Sequence, residues 1–113
     1  MITKDILNKI IEENNQSVNE KRTKLFGYGP KRKSLLNYIK SLPKEDQLYL
    51  FALVDYGRDK YQMKDFTADN NLFAVKLKNS NLHKDNDYIA NYLIKMGANL
   101  SSYLLYAIKI LED

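Results

Sequence analysis

Leu42-Pro43-Lys44-Glu45-Asp46-Gln47-Leu48-Tyr49-Leu50-Phe51-Ala52-Leu53-Val54 is the stretch that decides the fold. Proline near its head fixes φ and lacks only an N–H that an opening helical turn leaves unbonded anyway. Behind it, Leu48, Leu50, Phe51, Ala52, Leu53 and Val54 leave few polar faces. A helix apolar on most sides is enclosed by others, so this one is expected at the centre of a helical core. Gly57 is expected to end it as a left-handed residue, which predicts that a β-branched replacement there destabilises the protein.

Working outward, Thr3 can cap a first helix whose stripe is Ile6, Leu7, Ile10 and Ile11. The polar run Glu13-Asn14-Asn15-Gln16-Ser17 is expected to end it, with a solvated connector following. Leu25 and Phe26 are expected to tuck inward before the turn Gly27-Tyr28-Gly29-Pro30, and Pro30 to open a second helix carrying Leu35, Leu36 and Ile39. A fourth helix is predicted from about Asp65 to Lys78, with Phe66, Phe73, Ala74 and Leu77 inward. Asp85 or Asn86 is expected to cap a fifth, with Tyr88, Ile89, Tyr92, Leu93 and Met96 as its stripe. Asn99 is expected to cap a sixth. No segment alternates with period two over a useful length. The expectation is an all-α fold: one domain over residues 1–113, a bundle of five to six helices with short connections, and a basic connector at about 17–33 inside it.

The 113 residues suffice for one core. A chain of this mass exposes about 6,400 Å² folded against roughly 19,000 Å² unfolded. At 44% hydrophobic and 28% charged, with 4 Gly and 2 Pro, it is no collagen-like or wholly disordered chain. It has no cysteine, which excludes disulfides and thiolate chemistry, and its single histidine, His83, excludes an imidazole cluster. His83 is expected at the surface. The longest run without charge, between Lys95 and Lys109, is too short and polar to span a bilayer. Met1 to Asp5 carries both charge signs and no apolar run, so a cytoplasmic protein without a membrane role is expected.

Charge is unevenly placed. Residues 21–40 hold Lys21, Arg22, Lys24, Lys31, Arg32, Lys33 and Lys40 and no acid, which makes the segment +7 within a net charge of +4. Lysine is plentiful throughout, so its clustering is the signal. With Tyr28 among them, these cations are a candidate surface for an anionic or protein partner, since clustered cations release counterions from phosphates and a ring can stack on a base. Replacing Lys31, Arg32 and Lys33 together is expected to leave stability nearly unchanged, because cations at a helix start are unfavourable. The run Gly27 to Ser34 approaches a phosphate-binding loop, but Arg32 stands where glycine is needed and no strand leads in. A second candidate is Asp55, Arg58 and Asp59, read first as a structural arrangement in which Arg58 bonds the last carbonyls of a helix end. No nucleophile–base set, metal cluster or cofactor site is expected, so the chain is not read as an enzyme.

The pattern Leu42-Pro43, Glu45-Asp46, Ala52-Leu53, Gly57-Arg58, Phe66, Tyr92-Leu93 and Tyr103-Leu104 resembles an uncharacterised family of small helical bacterial proteins. The likeness covers about residues 34 to 111. Ala98 stands where that family usually has proline, and Ala107 near a family glycine. The resemblance implies an α-helical fold and no activity.

Two functions remain open at this point. The first is a non-catalytic binding module with a protein partner, of inhibitor, immunity or accessory type; the second is a nucleic-acid-binding protein using residues 21–40. The last helix also carries Leu104, Leu105, Ile108, Ile110 and Leu111, which cannot all face one way. Either it is central or it meets a second copy of the chain.

Overall fold

The computed structural model describes residues 2–19, 28–84 and 87–112. Six α-helices occupy them: α1 (Lys4–Ser17), α2 (Pro30–Ser41), α3 (Lys44–Met63), α4 (Asn70–Ser80), α5 (Tyr88–Lys95) and α6 (Ala98–Glu112), with one 3₁₀ turn at Asn81–His83. Helix accounts for 82% of the described residues, and none of them lies in a strand. The all-α bundle is as expected.

Local chemistry sets most of the starts. Thr3 is extended and its hydroxyl accepts from the Ile6 N–H at 3.3 Å, capping α1. Pro30 opens α2, and Pro43 precedes α3, whose first turn carries Glu45 and Asp46 against the positive end of the helix dipole. Helix α1 continues through Asn14 to Ser17 rather than stopping at the polar run, because Asn14 and Ser17 are buried and bonded there.

Gly57 does not end α3. It sits inside the helix, buried, where α6 crosses. A Cβ at this position would lie 1.9 Å from the Tyr103 carbonyl oxygen and 3.1 Å from Ala107 Cβ. Glycine is needed here for backbone approach, not for a positive φ. The helix instead ends at Lys64, which is left-handed (φ 53°, ψ 38°). The Lys64 N–H donates to the Tyr61 carbonyl at 3.1 Å and the Asp65 N–H to Lys60 at 3.0 Å, the paired closure of a Schellman motif.

Helix α4 begins at Asn70, not near Asp65. The Asp65 carboxylate accepts from the Thr67 N–H (2.9 Å) and hydroxyl (2.6 Å), which folds residues 65–69 into a loop. Asp69 then caps α4 by accepting from the Leu72 N–H at 2.9 Å, and its own N–H donates to the Tyr56 hydroxyl at 2.9 Å. Phe66 and Ala74 are exposed, contrary to expectation. Helix α6 starts at Ala98 directly after Gly97, whose φ of +60° makes the turn, so Asn99 lies in the first turn and is not the cap. Leu25, Phe26, Asp85 and Asn86 lie outside the described residues.

The core joins Leu50, Ala52, Val54 and Tyr56 of α3 to Leu100, Leu104, Ala107 and Ile110 of α6. Ile10, Leu35, Ile39, Ile89 and Leu93 close it from α1, α2 and α5. Helix α6 packs against α3 and α1 both, which accounts for its apolar residues on more than one side. Leu105 alone among its leucines stays half exposed. Helix α4 is a satellite on α3, held by Phe73 edge-on to Tyr49 and Tyr56 at ring distances of 5.4 and 5.8 Å.

Candidate functional site

The basic segment is divided by the fold. Lys31, Lys33 and Lys40 are exposed on α2, and Tyr28 is half buried just before it. Lys21, Arg22 and Lys24 lie outside the described residues. Arg32 is the correction: it is 6% exposed and turned inward. One Nη1 donates to Asn14 Oδ1 (2.5 Å) and Ser17 Oγ (2.9 Å), and Nη2 donates to the Ile94 carbonyl (2.6 Å). Asn14 in turn donates to Ser101 Oγ at 2.8 Å and to the Gly97 carbonyl at 3.0 Å. This polar hub ties α1, α2, α5 and α6 together, and Arg32 is unavailable to an anionic surface.

Asp55, Arg58 and Asp59 do come together, in the middle of α3 rather than at its end. Arg58 bonds Asp55, reaches Asp59 at 3.7 Å and donates to the Tyr92 hydroxyl at 2.5 Å. Lys76 of α4, which sequence reasoning left out, contacts Asp59 at 2.6 Å and Asp55 at 3.1 Å. Burial works to lower the Arg58 and Lys76 pKa values, but the two carboxylates outweigh it and both groups shift upward. Burial raises the Tyr92 pKa, with Arg58 pulling the other way. Two acids face two cations. The cluster is internally neutral and joins α3, α4 and α5.

His83 is half buried in the 3₁₀ turn. Its ring stacks on Tyr88 at 4.2 Å, and Tyr88 stacks on Tyr92 at 5.6 Å, with Phe51 beneath them. The rings are taken up by one another.

A third location was missed by sequence reasoning. At the C-terminal end of α3, Tyr61 (50% exposed) and Phe66 (62% exposed) flank Tyr106 of α6. Tyr61 meets Tyr106 edge-on at 5.6 Å, and Phe66 lies over it at 4.8 Å with a tilt of 33°. Tyr61, Lys64, Phe66 and Tyr106 line a cleft of about 320 Å³. The ammonium of Lys109 stands 5.9 Å above the Phe66 ring. Beneath lies the pair Lys60–Asp65, at 3.0 Å, with the Lys60 side chain almost wholly buried. Two bonds from Thr67 and one from Lys60 hold the Asp65 carboxyl well below the usual range, while its bond to Asp65 raises Lys60 against the opposing effect of burial. The available signal was Asp65-Phe66-Thr67: an Asx loop around an aromatic residue takes that ring off any helical stripe.

No helix among the described residues is long and apolar enough to cross a membrane. No protein-family model, no curated protein and no solved structure matches the chain.

Proposed function

We propose that this chain is a non-catalytic, cytoplasmic helical module that acts by binding a partner protein, and that it does so through the cleft of Tyr61, Phe66 and Tyr106. The observation that carries this reading is the placement of large rings in water. A soluble chain rarely exposes contiguous apolar surface without use for it, and tyrosine and other aromatics dominate the energetic centres of protein interfaces. The charged groups elsewhere favour binding over catalysis. Asp55 and Asp59 are neutralised by Arg58 and Lys76, and Arg32 is spent on the hub.

The test is site-specific photocrosslinking in the native cells, with benzoylphenylalanine at position 66 and, as control, at position 37 on the outer side of α2. A protein adduct formed from 66 but not from 37, and lost in Tyr61→Ser, supports the reading. Equal adducts from both positions, or none from 66, overturn it. The second reading, nucleic-acid binding, is favoured by Lys31, Lys33 and Lys40 standing exposed along α2. It requires affinity for DNA or RNA whose logarithm falls with log salt, and which weakens in Lys31→Ala/Lys33→Ala.

A further inference from the structure

The geometry points to an acidic, amphipathic segment of a partner protein as the occupant of the aromatic cleft: one large apolar side chain seated in the space lined by Tyr61, Phe66 and Tyr106, with carboxylates meeting Lys64 and Lys109. This rests on the protein-binding reading above and adds the chemistry of the partner. The cleft holds about 320 Å³, room for one bulky side chain rather than an extended cofactor.

Its rim is positive. Lys64 and Lys109 are exposed, and neither has an ion-pair partner among the described residues. Asp65, the acid next to Lys64 in the chain, is already occupied by Thr67 and Lys60. An apolar floor between two unneutralised cations complements an apolar anchor flanked by acids.

Lys64 strengthens the case. It is the one non-glycine residue with positive φ among the described residues, at a helix terminus where glycine is ordinarily preferred. It places a cation, where glycine would place none, at the lip of the cleft.

Two other occupants fit less well. A second copy related by a two-fold axis would bring the same lysine-rimmed surface against itself. A nucleic-acid strand calls for a groove of cations that tracks its backbone, whereas the described cations at this cleft are Lys64 and Lys109.

The test uses the full chain, immobilised, to select from a phage-displayed library of random dodecapeptides. The expected clones carry Phe, Leu or Trp flanked by Asp or Glu, and compete with one another for one site. A fluorescein-labelled synthetic peptide of the consensus then gives affinities by polarisation. Lys64→Glu/Lys109→Glu is expected to weaken it at least tenfold, and Phe66→Ser to abolish it. Lys33→Glu/Lys40→Glu is expected to leave it unchanged; circular dichroism and thermal midpoints confirm that each variant is folded. Clones that are apolar without acidic bias, and indifferent to Lys64→Glu/Lys109→Glu but lost in Phe66→Ser, overturn the acidic occupant while leaving the protein-binding reading intact. Clones insensitive to Phe66→Ser overturn both. Binding of labelled oligothymidylate that is lost in Phe66→Ser assigns the cleft to nucleic acid instead. A dimer by light scattering that dissociates in Phe66→Ser assigns it to a second copy.

Discussion

Arg32 Nη1 donates to Asn14 Oδ1 across 2.5 Å, from the first turn of α2 into the last turn of α1, and both side chains are buried. The cation sits between two exposed lysines, Lys31 and Lys33, yet does a different job from either. It satisfies two side chains and a main-chain carbonyl that would otherwise be sealed from water without donors.

Arg32→Ala is therefore expected to lose about 3 kcal/mol, because it strips charge-assisted bonds from three buried acceptors at once. Lys33→Ala is expected to change stability by less than about 0.5 kcal/mol, as an exposed substitution should. Urea unfolding with the two variants side by side checks this. Equal midpoints would remove the hub from the account. The triple replacement of Lys31, Arg32 and Lys33, which charge placement alone made harmless, becomes a destabilising change.

Gly57→Ala is expected to destabilise by about 2 kcal/mol. The added methyl would meet the Tyr103 carbonyl, which is main chain and cannot swing aside, so α3 and α6 must separate. The better helix propensity of alanine, worth about 1 kcal/mol, offsets only part of the strain. A thermal melt at or above the parent midpoint would show that the crossing is looser than described.

Lys64→Gly should move stability the other way, upward by about 0.5–1 kcal/mol, since glycine relieves the left-handed backbone at some entropic cost in the unfolded chain. The same change removes a rim cation of the cleft. A variant that melts higher and binds the consensus peptide less tightly is the expected result; one that melts lower would mean the lysine side chain is itself a structural tie.

The Lys60–Asp65 pair has a defined pH signature. Asp65 is lowered chiefly by the Thr67 hydroxyl and N–H, then by Lys60, so its contribution is full above the ordinary aspartate pKa of about 3.9 and is lost as the pH falls below that. Lys60 is raised, so its contribution is full below the ordinary lysine pKa of about 10.4 and is lost as the pH climbs through the raised value. The stability gap between parent and Asp65→Asn should be constant from about pH 5 to 9 and narrow at both extremes. A gap that does not change with pH would rule out the pair as its source.

Helix number, the proline entrances and the Thr3 cap were legible because each depends on a few neighbouring residues. Gly57 was not. Glycine for a left-handed turn and glycine for a close crossing look alike in sequence, and the deciding atom belongs to Tyr103, 46 residues further along the chain. Arg32 was hidden for the same reason: its acceptors on Asn14, Ser17 and Ile94 lie on other helices. Asp55, Arg58 and Asp59 were found as neighbours in sequence, while Lys76 completes them from α4. The aromatic cleft went unseen because Phe66 counted towards a helical stripe, and only the turn around Asp65 and Thr67 takes it out.

Helix α6 fills the slot between α1 and α3 with Leu100, Leu104, Ala107 and Ile110, and it is the last of the six to be synthesised. A nascent chain that has emerged only as far as α5 holds Ile10, Leu50 and Val54 facing a vacancy that nothing upstream can plug. Its apolar walls stay open to water, chaperones and each other until α6 has been made and has cleared the ribosome. A chain cut before α6 would thus yield a sticky fragment rather than a smaller working domain.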